Sequence, residues 1–220
     1  MPVRNPFRQP EPATLSPGWF ASAAGRAVLE SESGVVRQAA CERPGQPWLW
    51  LAAGLTAAQE RDEHSRLLLA GDRFEGAIRC ALPLPIASEA VGTVLLQHVG
   101  DVAADPAALV AECMRVLVPG GRLWLLALNP LAPYRWRWRG QGPAAWEPVT
   151  WRRRLRMAGL VPEAVSRGLG PRWRIGPGDP PQHGAGLRAA FLLRAEKRMS
   201  PLTPIRARPS LRLQTGVPAA

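Results

Sequence analysis

The sequence is poor in several residue types, and each scarcity excludes a class of protein. Its 220 residues include three cysteines and three histidines, all widely separated. An odd number of cysteines without paired spacing argues against a disulfide framework and favours a reducing compartment, and the scattered histidines predict no metal site. No apolar run approaches the ~20 residues that span a bilayer. The segment Met1–Pro6 also lacks the apolar stretch of a signal peptide, so we expect a cytoplasmic protein without integral membrane association.

Lysine is nearly absent, and the positive charge is unevenly distributed. Lys197 stands against 27 arginines, and residues 131–220 carry a net charge of +13 whereas residues 1–130 carry −2. Two interpretations remain open. The basic part attracts an anionic partner such as nucleic acid, phosphate or a membrane surface, or the excess of Arg, Ala, Gly and Pro reflects GC-rich coding. The first interpretation predicts weak polyanion binding, with RNA as the favoured partner.

The chain divides into three regions. Residues 1–15 are Pro-rich and predict a flexible arm, residues 16–198 predict one α/β domain, and residues 199–220 predict a disordered basic tail. Ser16-Pro17 is typical of a helix start, and we expect that helix to extend to about Cys41. Short apolar runs predict strands at 48–53, 66–70, 76–80 and 90–96.

The second half of the domain shows clearer boundaries. Asp105-Pro106 predicts the start of a helix that ends near Leu117, and Pro119-Gly120-Gly121 predicts a tight turn. A strand at 122–128, a basic helix at 147–158 with a C-terminal Gly159, and a last strand at 187–196 follow. Because strand, helix and apolar strand alternate, we expect a buried parallel sheet with a right-handed crossover.

The stretch from Leu84 to Pro130 reads LPIASEAVGTVLLQHVGDVAADPAALVAECMRVLVPGGRLWLLALNP. It resembles the methyltransferase type 11 branch of the class I S-adenosylmethionine-dependent methyltransferases. In that branch a Leu-Pro loop, a fourth strand, an Asp-Pro-started helix ending in Arg-Val-Leu, a Pro-Gly-Gly turn and a fifth strand follow in this order. Trp19-Phe20 and the segment 201–205 resemble a proteobacterial subgroup. The resemblance implies a Rossmann-like, mostly parallel seven-stranded sheet with helices on both faces and an antiparallel last strand.

The resemblance also implies S-adenosylmethionine as cofactor, bound outside the carboxyl ends of the strands. The family's first loop reads apolar-Asp-apolar-Gly-x-Gly-x-Gly, whereas residues 49–56 read LWLAAGLT. Gly54 survives, Ala52 is still small, Trp50 replaces the acid and Thr56 replaces the last glycine, so the loop is degenerate. Asp72 is the candidate for the acid that holds the ribose hydroxyls, or else a turn residue. The implied cofactor contacts are Ala52, Gly54, Asp72, Ala81, Leu82 and Gln97.

Two hypotheses about function follow from the degenerate loop. The first is an S-adenosylmethionine-dependent methyltransferase of unknown acceptor, which holds the cofactor with backbone groups and apolar contacts. The second is a catalytically inactive methyltransferase-like binding module, in which the Trp50 indole fills the cofactor pocket and the basic C-terminal part associates with nucleic acid.

Two further patterns are candidates for function. His98 follows the fourth predicted strand and is a candidate base or substrate contact, although a structural hydrogen bond would explain it equally. Residues 135–139 alternate Arg and Trp. If extended, they would separate cations from rings onto opposite faces and could contact phosphates and bases. Alternatively, the tryptophans pack on the domain. We expect Asn129-Pro130 to form a turn that ends the fifth strand.

Overall fold

The computed structural model describes residues 18–54, 66–70, 72–76, 78–176 and 180–198. The predicted arm at 1–15, the helix start at Ser16-Pro17 and the predicted tail at 199–220 lie outside the described residues. The described N-terminal segment contains a 3-10 helix at Trp19–Ala21 and two helices, α1 at Ala23–Ser31 and α2 at Ser33–Ala40. The single long helix predicted here is therefore divided at Glu32. Ser22 caps α1 by accepting a hydrogen bond from the Gly25 amide.

The sheet contains nine described strands, which are β1 Trp48–Ala52, β2 Arg66–Ala70, β3 Arg73–Gly76, β4 Val91–Gln97, β5 Leu117–Leu128, β6 Leu160–Pro162, β7 Arg167–Leu169, β8 Gln182–His183 and β9 Ala190–Lys197. The order is β3-β2-β1-β4-β5-β9-β7-β8, and β6 also pairs with β9. Strands β2, β1, β4 and β5 are parallel, and β9 is antiparallel to β5. The Rossmann-like fold is confirmed, with nine strands rather than seven because β6, β7 and β8 are short separate pieces.

The third strand differs from the prediction. Gly76 ends β3 instead of beginning a strand. β3 pairs antiparallel with β2 as a hairpin, and Cys80 makes only an isolated bridge to Phe74. The reason is local, since Asp72 occupies a turn that reverses the chain directly after β2. This hairpin forms one edge of the sheet.

Helices cover both faces of the sheet, as expected. The remaining helices are α3 Val99–Val102, α4 Pro106–Val116 and α5 Pro148–Met157. Alternate side chains of the central strands point to opposite faces. Leu51, Leu96 and Leu125 pack with residues of α4 and α5, whereas neighbouring residues of the same strands pack with α2.

The predicted bounds of α4 agree with the structure, whereas β5 begins at Leu117, five residues before its predicted start at Arg122. Asp105 caps α4 by accepting hydrogen bonds from two amides of its first turn. The Pro-Gly-Gly segment lies inside β5, where it shifts the register against β4 between Val91 and Thr93. Gly120 has a positive φ of 72°, which glycine adopts without strain. Gly159 likewise follows α5 with a φ of 91°.

Candidate functional site

The carboxyl ends of β1 and β4 meet at one point of the sheet. Ala52 is the register partner of Gln97, and the amide of Ala53 donates to the Gln97 carbonyl at 3.0 Å. Gly54 follows directly, and His98 follows Gln97. Four of the predicted site residues, Ala52, Gly54, Gln97 and His98, are therefore brought together at this edge because the two strands are parallel neighbours.

A buried hydrogen-bond chain runs through this edge from Trp50. The indole Nε1 of Trp50 donates to Gln97 Oε1 at 3.1 Å, and Gln97 Nε2 donates to Glu32 Oε2 at 2.8 Å. All three side chains are buried. The Trp50 ring packs in the core cluster that contains Val35 and Val36 of α2. The Gln97 amide is thus held in one orientation by a donor on one side and a carboxylate on the other.

His98 continues the chain between two carboxylates. Its Nε2 lies 2.8 Å from Glu32 Oε1 and its Nδ1 lies 2.9 Å from Asp101 Oδ2. The same Asp101 oxygen accepts from the Leu128 amide at 2.8 Å, which ties the network to the end of β5. His98 adopts a left-handed conformation with φ of 58°. This turn after β4 directs the imidazole into the interior, where neither His98 nor Glu32 is exposed.

The two carboxylates determine the charge of the imidazole. Burial by itself lowers the pKa of His98, but the charge of Glu32 and hydrogen bonds to Asp101 and Glu32 outweigh it and raise the pKa to about 10. The ring is therefore an imidazolium at neutral pH, and both nitrogens donate. Burial raises the pKa of Asp101, against the opposing effect of its hydrogen bond to His98.

Aromatic rings from the N-terminal segment cover the network. The Phe20 ring stacks on the His98 imidazole, with centroids 4.7 Å apart. Phe20 also packs closely against Gly54. A Cβ added to Gly54 would lie only 2.6 Å from the Phe20 Cβ. The contacts continue outward from Phe20 to Trp19 at 4.9 Å and from Trp19 to Trp138 at 5.6 Å. Phe20, rather than Trp50, therefore lies against Gly54 in the loop after β1.

The other predicted contacts lie further out on the sheet. Asp72 is exposed at the turn between β2 and β3, beyond the carboxyl end of β2. Ala81 is exposed and Leu82 is half-buried against the main core. They follow the bridge between Cys80 and Phe74, so the β2–β3 hairpin separates them from β1. Within the described part of the chain, no hydrogen bond links these three residues to the buried network.

Sequence reasoning missed three residues of this edge, which are Glu32, Asp101 and Phe20. Glu32 lies more than 60 positions before His98, and nothing in its local sequence distinguishes it from the neighbouring acids. Asp101 did carry a signal, because a His and an Asp three positions apart after a buried strand can meet within one short helical turn.

Comparisons with known proteins agree with this architecture. A family model described as a methyltransferase domain matches residues 52–125, about a third of the chain. A methyltransferase structure from Thermotoga maritima, described as a possible histamine N-methyltransferase, is similar with a TM-score of 0.58 at 16% identity, over 82% of this chain and 93% of that one.

A second similar structure comes from Haloferax volcanii, in a complex between the Trm112 methyltransferase activator and a candidate methyltransferase. Its TM-score is 0.52 at 14% identity, over 83% of this chain and 95% of that one. A search of curated proteins finds no match. These likenesses establish the class I methyltransferase fold for this chain.

The described part of the chain contains neither a membrane-spanning helix nor a cluster of metal ligands. None of its helices is long and apolar enough to cross a bilayer. The same residues contain no group of three His, Cys, Asp or Glu side chains arranged to hold a metal ion.

Proposed function

We propose that this protein is a methyltransferase that uses S-adenosylmethionine, with an acceptor yet to be identified. The observation that carries the proposal is the parallel pairing of Ala52 with Gln97, which brings the Gly54 loop beside the end of β4. Open α/β sheets bind ligands outside the carboxyl ends of such strands. The match of the methyltransferase model to residues 52–125 begins at Ala52, the last residue of β1, includes all of β4 and supports the same function.

The residues at this edge fit the cofactor in type. The Gly54 amide makes no hydrogen bond to any described residue and can face an anionic group. The small side chain of Ala52 allows close approach to the backbone, and the exposed carboxylate of Asp72 can accept hydrogen bonds from hydroxyl groups. The proposed contacts are Ala52, Gly54, Asp72, Ala81, Leu82 and Gln97. Gln97 would contact the cofactor through its main chain, because its side-chain amide already makes two hydrogen bonds.

S-adenosylmethionine would supply a methyl group to an acceptor nucleophile, with S-adenosylhomocysteine as the leaving group of an in-line displacement. The chain's own contribution would be alignment of the two reactants rather than covalent chemistry. His98 is the proposed catalytic residue. In the described conformation it is a charged donor to two carboxylates beneath Phe20. Its action as a base or acceptor contact would therefore require Phe20 and Glu32 to move away from it.

Isothermal titration with S-adenosylhomocysteine tests the proposal. We expect binding at high micromolar ligand or below, and absence of heat there would refute cofactor binding by the isolated protein. Asp72→Asn should weaken binding by about 10-fold or more, because a charge-assisted hydrogen bond contributes ~1.5–3 kcal/mol. Asp105→Asn is the matched control, since position 105 lies outside the proposed site and an asparagine there preserves the cap of α4. Equal affinity of wild type and Asp72→Asn would remove Asp72 from the site.

One observation favours the non-catalytic alternative. The contact of Phe20 with Gly54 leaves no room for a ligand atom between them in this conformation. If the module binds no cofactor because Phe20 fills this space, S-adenosylhomocysteine should bind the Phe20→Ala variant and not the wild type. Binding to the wild type would favour the enzyme, and absence of binding to both proteins would argue against a cofactor pocket at Gly54.

A further inference from the structure

A cluster of cations and rings follows β5, and we name it the Arg–Trp surface. It consists of Arg135, Trp136, Arg137 and Arg139. Residues Pro133–Arg137 form a 3-10 helix, so the segment is not extended and the face separation that an extended strip would give does not apply. Trp136 is 65% exposed, whereas Trp138 is buried in the domain. The chain thus anchors itself through Trp138 and presents Trp136 to solvent.

The positive charge of this surface is uncompensated. No described carboxylate lies within salt-bridge distance of the three arginines. Their guanidinium groups contact rings instead, with Arg135 and Arg139 at 5.4 and 5.2 Å from the centroid of Trp136. Arg137 lies over the Tyr134 ring at 5.2 Å. Arg135 and Arg137 also donate to the carbonyls of Pro130 and Trp173, at 3.3 and 3.2 Å. Guanidinium groups without a described carboxylate partner beside an exposed indole are suited to phosphates and to planar groups at once.

A cavity of about 360 Å³ adjoins the surface, within the size range of small-ligand sites. Arg135 and Arg139 line it together with Trp138. Its remaining lining residues are uncharged, namely Pro130, Gly140, Pro143 and Ala145. The cavity therefore offers two cations and an aromatic wall, which fits an anionic group attached to a flat ring.

We propose that the Arg–Trp surface and its cavity bind a single-stranded polynucleotide. The bases of a single strand are free to stack on indole or guanidinium planes, and its phosphates pair with arginine, whereas the bases of a duplex are already stacked on each other. A lipid surface fits less well, because the indole of Trp136 cannot enter lipid without the guanidinium groups of Arg135 and Arg139. The cavity and the exposed Trp136 are separate features, so the surface accommodates more than one nucleotide.

The Arg–Trp surface lies near the candidate site, but binding to this surface does not depend on that site. Trp138 contacts Trp19, which contacts Phe20, which stacks on His98. A bound strand would therefore lie near the edge where methyl transfer is proposed. Binding itself requires neither cofactor nor catalysis, so its test can fail or succeed separately from the proposed function.

Fluorescence anisotropy of the full chain with a labelled mixed-sequence 20-nucleotide RNA, between 50 and 200 mM salt, tests the proposal. Each phosphate contact contributes about −0.7 to the log–log salt slope on single strands. The double variant Arg135→Ala/Arg139→Ala should therefore flatten the slope by about 1.4. Trp136→Ala should weaken binding by about fivefold or more with little change in slope, because lost stacking is largely independent of salt. A DNA strand of the same sequence determines whether the sugar matters.

The control variant Arg153→Ala/Arg156→Ala removes two exposed arginines from α5, away from the surface. It should change affinity and slope much less than Arg135→Ala/Arg139→Ala. If both double variants act equally, the binding follows net charge and the proposal is wrong. Loss of binding to anionic lipid vesicles in Trp136→Ala, with RNA binding unchanged, would instead assign the surface to a membrane. Undetectable RNA binding at 50 mM salt would also overturn it.

Discussion

The substitution Glu32→Gln tests whether the buried network stabilises the fold. Glu32 is the only partner of His98 Nε2 and the acceptor for Gln97 Nε2 among the described residues, at 2.8 Å in both cases. A glutamine keeps the shape but removes the charge, and whichever way its amide turns, its NH₂ group faces a donor. Removing one partner of a fully buried charge pair costs about 3–5 kcal/mol. That is a large share of a typical domain's ~5–15 kcal/mol.

Urea unfolding followed by circular dichroism measures this loss. The control is Glu42→Gln, because the Glu42 carboxylate pairs with Arg122 at 2.9 Å on the partly exposed surface. Such a pair contributes about 0–1 kcal/mol. If Glu32→Gln and Glu42→Gln lose equal free energy of unfolding, the buried network stabilises the fold no more than a surface ion pair does.

The pH dependence of stability examines the same network in the wild type. Below pH 6.5 His98 is charged in the folded and unfolded chain, and its full stabilising effect is present. Between pH 6.5 and about 10 only the folded chain retains the proton, because the pKa of His98 is raised to about 10. The free energy of unfolding should therefore fall as pH rises, by up to about 1.4 kcal/mol per pH unit.

Measurement between pH 6.5 and 7.5 stays below the range in which the cysteine thiols of the unfolded chain ionise, since their ordinary pKa is about 8.5. Glu32→Gln should have a shallower slope in this window, since the Glu32 charge is the largest cause that raises the pKa of His98. A flat wild-type profile, or the same slope in both proteins, would contradict the assignment of an imidazolium.

Two smaller predictions concern single hydrogen bonds. Trp50→Phe removes the donor to Gln97 Oε1 and leaves a buried oxygen unpaired, so urea unfolding should show a loss of about 1–3 kcal/mol; an unchanged midpoint would show that the bond contributes nothing. Asp105→Ala removes the cap of α4 and should lower stability by about 1 kcal/mol, whereas Asp105→Asn should restore it. Equal melting temperatures for the alanine and asparagine variants would rule out capping as the cause.

Much of the sheet was predictable because its signals are local. Parallel strands buried on both faces appear as continuous apolar runs. The predicted strands agree with β1, β2 and β4 within one residue at each end, whereas β5 begins five residues before its predicted start. The start of α4 was equally clear, since an Asp-Pro pair satisfies the helix terminus without distant partners. The resemblance added the order of these elements and the antiparallel last strand, which apolar patterning alone does not give.

The candidate site was predictable only in part because its contacts are distant in sequence. Gln97 and His98 were identified from their place after β4, but their partner Glu32 comes from the break between α1 and α2. The chain around Glu32 is compatible with one continuous helix, and tertiary burial of the carboxylate accompanies the interruption. The conformation of the Arg–Trp segment was not predictable for another reason, since alternation of two residue types over five positions is compatible with a strand or a single helical turn.

Trp50 in β1 and the buried carboxylate of Glu32 are physically linked. Trp50, where the resemblance expects an acid, can only donate a hydrogen bond, so it holds the carbonyl oxygen of Gln97 and turns the amide NH₂ toward Glu32. An acid at position 50 would accept instead, which would reverse the amide and bring its oxygen against the Glu32 carboxylate. Glu32 would then lose one of its two donors while it still had to neutralise His98. Trp50 in place of the acid and Glu32 between α1 and α2 therefore belong to one hydrogen-bond network. Both residues precede the segment 52–125 that the methyltransferase model matches.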